Sequence, residues 1–197
     1  MPSGSPAAVK AAFAHGPGPW TVPVAGDGGS KPAAWPDACK MLSLAEVKAL
    51  LPGTTAFRTE GQRGHFLGGG NTPHNALCDY SLRGSYDPPR SAGYPPSTIH
   101  VEIRGIGDAR AVKQQWAQQQ ASQVKIAKRF PDQYALYKGP AQCFWDGNEL
   151  QCIAGKWAYW VLGRFIDKSG DDATPLQNAY RKNVLLRVAN GLATRMH

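Results

Sequence analysis

The sequence predicts an α+β protein: an antiparallel sheet of about four to six strands, packed by two long helices and one short N-terminal helix, with two disulfides. Three observations predict this class. Apolar and polar residues alternate in several separate segments, helix start signals occur at three places, and the four cysteines are an even number. With 197 residues, 42% hydrophobic and 18% charged, the chain is neither disordered throughout nor a coiled coil. No apolar run approaches the roughly 18 residues that a membrane span needs.

Residues 1–38 differ in composition from the rest of the chain. They contain seven of the 16 prolines, six glycines and nine alanines, with almost no apolar periodicity. Such a segment buries little apolar surface, so we expect a tail or spacer, with Trp20 or Trp35 docked on a single α+β domain at 39–197. No apolar core of a signal peptide follows Met1, which leaves either a cytoplasmic protein or one that begins after an export signal.

Two helices are predicted in the first two thirds of the chain. Ser43 and Glu46 form a capping box for a short helix that ends after Leu51. Asp108 caps a longer helix at 109–127. Its inner stripe contains Val112, Trp116 and Val124. We interpret its glutamines as a solvated face: Gln114, Gln115, Gln118, Gln119, Gln120 and Gln123.

The terminal helix has its own start signal, in which Thr174 is the cap, Pro175 the first helical residue and Gln177 the closing residue of a capping box. Apolar side chains then recur every four residues, which predicts an amphipathic helix packed on the sheet. They are Leu176, Tyr180, Val184, Val188 and Leu192.

The predicted strands lie between these helices. Residues 54–76 are polar and glycine-rich, which favours a mobile loop with at most a short strand at 56–58. Period-two alternation then predicts strands at 78–82 and 99–104, the latter with an apolar inner face and a charged outer face. From 141 to 165 the same period is interrupted by turns at Gly147-Asn148 and Gly155-Lys156. The last strand is apolar on both faces, which indicates a central position.

Two of the cysteines have a geometric reason to pair. With Gly147-Asn148 as a two-residue turn, Cys143 lies opposite Cys152 in a non-hydrogen-bonded pair, whose Cα atoms are about 4.5 Å apart. This distance suits a disulfide. By elimination, Cys39 pairs with Cys78. Four free thiols or a metal site are the alternatives, although no Cys-x-x-Cys or comparable close pair is present. Two disulfides would indicate an oxidising, extracellular or cell-surface location.

Candidate catalytic groups are sparse. His65 and His74 fall in one glycine-rich loop at 64–75, which suits a flexible loop better than a ligand or metal site. Its Gly68-Gly69-Gly70 run lacks the Lys-Ser/Thr of a phosphate loop. We interpret His100 as exposed on its strand, and Asp171-Asp172 as a complement to the dipole of the last helix. The sequence predicts no catalytic residues, no metal site and no cofactor.

Positive charge is concentrated in the second half of the chain. The net charge is +8, and Lys125, Lys128 and Arg129 cluster at the C-terminal end of the predicted helix at 109–127. Cations there complement the helix dipole, and they are also candidate contacts to an anionic partner, such as an envelope polymer, membrane headgroups or an acidic protein face. No reading helix or aromatic-basic platform predicts nucleic-acid binding.

Residues 35–52, which include Asp37-Ala38-Cys39 and the capping box, resemble the opening of small exported actinobacterial proteins, many of them lipoproteins, known as a domain of unknown function. The shared pattern is Asp-x-Cys, then Leu-Ser/Thr and a short acidic-Val helix. A second Cys with a following aromatic residue comes about forty positions later, here in Cys78-Asp79-Tyr80. The resemblance covers residues 35–82 and implies an envelope-attached or secreted α+β domain without known catalysis. It supports the Cys39–Cys78 bridge, but no lipobox cysteine precedes the tail.

Together these features favour a non-enzymatic exported domain that binds an envelope protein or an anionic cell-wall polymer, secreted or tethered to the membrane through a segment absent from this sequence. One alternative is the extracellular sensor domain of a membrane protein. Another is a small hydrolase that uses His65 and His74.

Overall fold

The computed structural model describes residues 1–24, 30–67, 69–89, 93–130, 134–170 and 173–197. Within these residues seven strands form one sheet: β1 (Thr54–His65), β2 (Asn71–Gly84), β3 (Thr98–Ile106), β4 (Ala135–Lys138), β5 (Gln142–Trp145), β6 (Leu150–Ala154) and β7 (Trp157–Arg164). The α-helices of the described part are α1 (Pro6–Ala14), α2 (Leu44–Leu50), α3 (Ala109–Ala127), α4 (Thr174–Tyr180) and α5 (Leu186–Ala193). The α+β class, the antiparallel sheet and the two disulfides are therefore confirmed.

The strand order is β1-β2-β3-β7-β6-β5-β4, and every neighbouring pair is antiparallel. Helices α1, α2 and α5 lie with the main hydrophobic core on one face of the sheet, while α3 covers part of the other face with a second, smaller apolar cluster. Strand β7 is central, as its two apolar faces predicted. Covering a sheet on both sides in this way gives three layers around two apolar interfaces.

The sheet has more strands than the four to six that the sequence predicted. The expected loop at 54–76 is instead most of a long hairpin formed by β1 and β2, whose register runs from Thr54 opposite Gly84 to His65 opposite Asn71. Strand β1 lies at the sheet edge and is exposed along most of both faces. It therefore shows no apolar alternation, because the pattern that reveals a strand arises only where one face is buried. Edge strand β4 was also missed.

The capping box at α2 is confirmed. The Ser43 hydroxyl accepts from the Glu46 backbone N–H, and the Glu46 carboxylate accepts from the Ser43 backbone N–H. Strand β3 buries Ile99, Val101 and Ile103 as predicted. Its opposite face was expected to be solvated, but Glu102 and Arg104 are also buried there.

The predicted start and length of the terminal helix are wrong. The N-cap position falls on Ala173, whose methyl side chain accepts no hydrogen bond, and Gln177 uses its amide on the backbone N–H and C=O of Phe165. The helical run is also interrupted by a π-helical turn at Arg181–Leu185, so that α4 and α5 are separate elements. The apolar side chains at four-residue spacing nevertheless pack in the core as predicted, where Tyr180, Val184, Val188 and Leu192 are buried.

The N-terminal segment differs from the spacer that its composition predicted. Ser5 caps α1, and Val9, Phe13 and Val22 are buried in the main core. Trp20 forms a parallel bridge with Met196 near the C-terminus. The segment is therefore packed against the domain through a few well-placed apolar residues that show no periodicity in the sequence.

Candidate functional site

Both predicted disulfides are present and use all four cysteines. Cys143 and Cys152 are paired across the β5–β6 hairpin with their Cα atoms 4.1 Å apart. Cys39 and Cys78 join the turn before α2 to β2 with a Cα separation of 5.0 Å. Two disulfides in a chain of this size are consistent with an oxidising, extracellular location.

A surface of basic and apolar side chains is exposed at the C-terminal end of α3 and on edge strand β4, which share one side of the sheet because Leu136 lies opposite Phe144 of the cluster under α3. We call it the α3-end surface and define it by Lys125, Ile126, Lys128, Arg129, Phe130, Leu136 and Lys138, all of them exposed. Ile126, Phe130 and Leu136 are 40%, 51% and 50% exposed, respectively. They make up half of the large hydrophobic residues that the described chain exposes, so the apolar exposure is concentrated here.

Local structure explains why these residues are exposed. Helix α3 ends in tight turns, in which the Arg129 and Phe130 backbone N–H groups both donate to the Ile126 carbonyl. Strand β4 follows at the sheet edge, where Leu136 and Lys138 point to one side while Ala135 and Tyr137 pack on the main core. The strand pairs with β5, and its outer edge has no strand neighbour among the described residues.

The charge of the α3-end surface is of one sign. Between residues 109 and 145 the sequence has six basic residues and a single acid, Asp132, which lies outside the described residues. The predicted candidates Lys125, Lys128 and Arg129 are thus exposed together, and the structure adds Lys138 and three apolar side chains to them. Helical periodicity does not apply to two of these apolar residues, because Phe130 follows α3 and Leu136 lies in edge strand β4, which the sequence did not predict.

A layer of polar side chains lies beside the apolar cluster on the α3 side of the sheet. Arg104 donates to Glu102 at 3.0 Å and its guanidinium lies 3.6 Å from the centre of the Trp160 ring. Gln120 is buried and donates to Gln151 at 2.6 Å. The interpretation of the glutamines as a solvated face is therefore wrong for Gln120, and Gln119 also turns inward to donate to the Leu67 carbonyl. Gln114, Gln115 and Gln118 are exposed as predicted, whereas the side chain of Val124 lies outside the described residues.

At the edge of this layer, burial raises the pKa of Glu149 to about 7, and the nearby negative charge of Asp146 acts in the same direction. Gln151 donates to both carboxylates and so holds the two acids together. A carboxyl group that exchanges its proton near neutral pH is a common feature of functional sites, and also of structural clusters.

The two histidines proposed for a hydrolase lie in strands rather than in a loop. His65 ends β1 opposite Asn71, and His74 lies in β2 opposite Arg63, so the register does not place the two histidines opposite each other. Both are exposed. His100, expected to be exposed, is half-buried and contacts Asp79 through Nδ1. Gly68 and Asp171-Asp172 lie outside the described residues.

A buried ion pair joins α2 to the C-terminal end of the chain. Arg195 Nη1 lies 2.7 Å from Glu46 Oε1, and both side chains are almost completely buried. The guanidinium also lies 5.0 Å from the centre of the Phe13 ring and 4.8 Å from that of Trp20, and it donates to the Met41 carbonyl. Its contacts combine charge, hydrogen bonding and cation–π attraction in one buried place.

Beside this ion pair, an open cleft of about 520 Å³ is lined by residues of both α1 and α5. Its lining is mostly apolar, with basic side chains but no acidic ones: Pro6, Val9, Lys10, Phe13, Ala14, Pro140, Arg187, Asn190, Gly191, Thr194 and Arg195. Sequence reasoning missed this cleft, because its walls come from the N-terminal segment that we expected to be a spacer.

Comparison with known proteins adds no relative: no protein-family model, no curated protein and no solved structure matches this chain. In the part of the chain that the structure describes, no helix has the length and apolar character needed to cross a membrane. The same residues contain no group of three His, Cys, Asp or Glu side chains placed to hold a metal ion.

Proposed function

We propose that this protein is a non-enzymatic exported domain that docks on an anionic lipid surface of the cell envelope through the α3-end surface. The observation that carries the proposal is the exposure of Ile126, Phe130 and Leu136 among four cationic side chains. The two disulfides support a location on the extracellular side, and the resemblance of residues 35–82 to exported proteins points in the same direction.

The combination of residue types favours lipid over the other anionic partners. Lysine and arginine alone would suit an anionic polymer as well as a membrane. Phe130, Ile126 and Leu136 gain nothing from a hydrated polymer, whereas at a bilayer they can enter the boundary between headgroups and acyl chains. Each cation near an anionic leaflet contributes about 1 kcal/mol, so the apolar and ionic contributions act together.

The proposal predicts binding to anionic vesicles that depends on this surface. We expect the protein to co-sediment with vesicles of phosphatidylglycerol and phosphatidylcholine but weakly with phosphatidylcholine alone, and to dissociate as salt is raised. The triple variant Lys125→Glu, Lys128→Glu, Arg129→Glu should weaken binding by roughly 100-fold or more, since three cations of about 1 kcal/mol each are lost.

A matched control changes the net charge by the same amount at other positions on the protein. Lys48, Lys168 and Lys182 are exposed and lie outside the α3-end surface, and their triple change to Glu should weaken binding much less. The variant Ile126→Ser, Phe130→Ser should also weaken binding, while it leaves the net charge unaltered. Equal losses in both charge variants would contradict the proposal. Binding to soluble polyglutamate without binding to vesicles would show that the partner is an anionic polymer and not a lipid surface.

A further inference from the structure

We propose that the cleft between α1 and α5 binds a small amphipathic anion, with an apolar body and a single negatively charged head such as a carboxylate. The cleft, at about 520 Å³, falls within the range of roughly 300–1,000 Å³ that small organic ligands occupy. This inference is independent of the proposed membrane docking, because none of the residues that line the cleft belongs to the α3-end surface.

The apolar wall is built by close packing of Phe13 on α5. A Cβ atom added at Gly191 would lie 2.2 Å from Phe13 Cδ1, so the aromatic ring rests directly on the helix backbone. Gly191 therefore permits a close approach that any side chain would prevent. Val9, Ala14 and Pro140 extend the apolar lining around the ring. A surface of this kind suits an aliphatic or aromatic body.

The positive charge of the residues that line the cleft favours a ligand with an anionic head group. Three basic residues line the cleft, and no described acidic side chain lines it. Arg195 is already paired with the buried Glu46, which leaves Lys10 and Arg187 to attract an anion. Arg187 Nη1 donates to the Gly4 carbonyl at 2.5 Å, and this contact fixes the position of its guanidinium before any ligand arrives. Preorganised cations lose less side-chain entropy on binding.

Polar but uncharged groups complete the site. Asn190 lies on α5 with Arg187, and Thr194 directly follows the helix. Asn190 Oδ1 accepts from the Ala141 backbone N–H at 3.2 Å, which orients its amide. An apolar wall with a few oriented polar groups and cationic side chains is the arrangement that distinguishes an amphipathic anion from a neutral or cationic amphiphile.

The test uses sodium dodecanoate below its micellar concentration, titrated into the full chain by calorimetry and followed by tryptophan fluorescence. We expect saturable binding, and at least tenfold weaker binding of dodecyltrimethylammonium, which has the same chain and the opposite charge. Ala14 is exposed at the end of α1, so Ala14→Phe should fill the cleft without disturbing Phe13 and weaken dodecanoate binding at least tenfold.

A charge variant and its control separate this site from other surfaces. Lys10→Glu should weaken dodecanoate binding about tenfold, whereas Lys168→Glu, at an exposed residue outside the cleft, should not. The triple Glu variant at Lys125, Lys128 and Arg129 should bind dodecanoate normally, so the two proposals fail separately. The absence of saturable binding, equal binding of both amphiphiles, or full binding by folded Ala14→Phe would overturn the inference.

Discussion

The carboxyl group of Glu149 lies directly after the tight turn between β5 and β6, where it shares the Gln151 amide with Asp146. Its pKa is raised to about 7, chiefly by burial and also by the charge of Asp146, with Glu102 and Arg104 acting in opposite directions. In the unfolded chain the same group titrates near 4.5. Between these values the folded protein binds the proton more tightly than the unfolded chain does, so the contribution of Glu149 to stability is present below about pH 4.5 and is lost as the pH rises to about 7.

The variant Glu149→Gln should remove this dependence, because an amide stays neutral at every pH. We expect the variant to gain stability over the wild type between pH 5 and pH 8, by an amount on the order of 1 kcal/mol after allowance for solvent screening. Urea unfolding of both proteins at several pH values measures the difference. If the two stabilities run parallel from pH 5 to pH 8, Glu149 titrates normally in the folded state.

Among the elements, α1 departs most from its sequence-based expectation. It contributes Val9 and Phe13 to the main core, and Phe13 contacts both Gly191 and the Arg195 guanidinium. Burial of a few large side chains can hold a segment whose composition is otherwise that of a linker, because each contributes roughly 1.5–3 kcal/mol. The helix is therefore part of the folded domain and not a spacer before it.

Two substitutions of the same type test this role of α1. Phe13 is 3% exposed and Phe130 is 51% exposed. Phe13→Ala should lower the free energy of unfolding by about 3–5 kcal/mol, the usual effect of removing a buried aromatic ring. Phe130→Ala should change it by less than about 0.5 kcal/mol, as expected at the surface. Denaturant unfolding compares the two, and equal small effects would restore the spacer interpretation.

At the scale of the whole molecule, the two disulfides restrict the unfolded chain to different extents. Cys39 and Cys78 are 39 residues apart in sequence, and Cys143 and Cys152 are 9 apart. In the chain-entropy model these loops correspond to about 3.9 and about 2.7 kcal/mol, respectively. The Cys39–Cys78 disulfide, which closes the longer loop, also links the turn before α2 to strand β2 and so connects distant parts of the main core.

Paired alanine variants measure the two contributions separately. Replacing Cys39 and Cys78 should destabilise the protein more than replacing Cys143 and Cys152, by about 1 kcal/mol in the same model. Each variant removes the two sulfur atoms of one disulfide, and this makes the packing losses comparable. Guanidinium unfolding under non-reducing conditions gives both values. The reverse order would show that strain or residual structure in the unfolded chain outweighs loop entropy.

Much of the molecule could be predicted from local sequence. The capping box at Ser43, the cap at Asp108 and the register of the β5–β6 hairpin each depend on residues no more than eleven positions apart. The register in turn placed Cys143 opposite Cys152. Hydrogen bonds and turns of this range form with the same geometry in many proteins, so their sequence signals are reliable.

What could not be predicted depends on residues far apart in the chain. Glu46 and Arg195 are separated by most of the sequence, and nothing near either residue indicates the pairing. Strand β1 was missed because, as an edge strand, it buries little and shows no alternation. For the candidate site, local sequence identified Lys125, Lys128 and Arg129, but the exposure of Ile126, Phe130 and Leu136 was visible only in the fold.

Local sequence therefore decided the class of fold, the starts of α2 and α3 and the Cys143–Cys152 pair, since these follow from short-range hydrogen bonding and side-chain period, and the even cysteine count then assigned Cys39 to Cys78. Tertiary structure alone decided that the N-terminal segment packs on α5, that polar side chains are buried beside the apolar contact between α3 and the sheet, and that an apolar cleft with basic lining residues lies between α1 and α5. The physical reason is that burial is a property of the assembled surfaces: a side chain becomes core, rim or exposed patch only when a distant element covers it or leaves it uncovered.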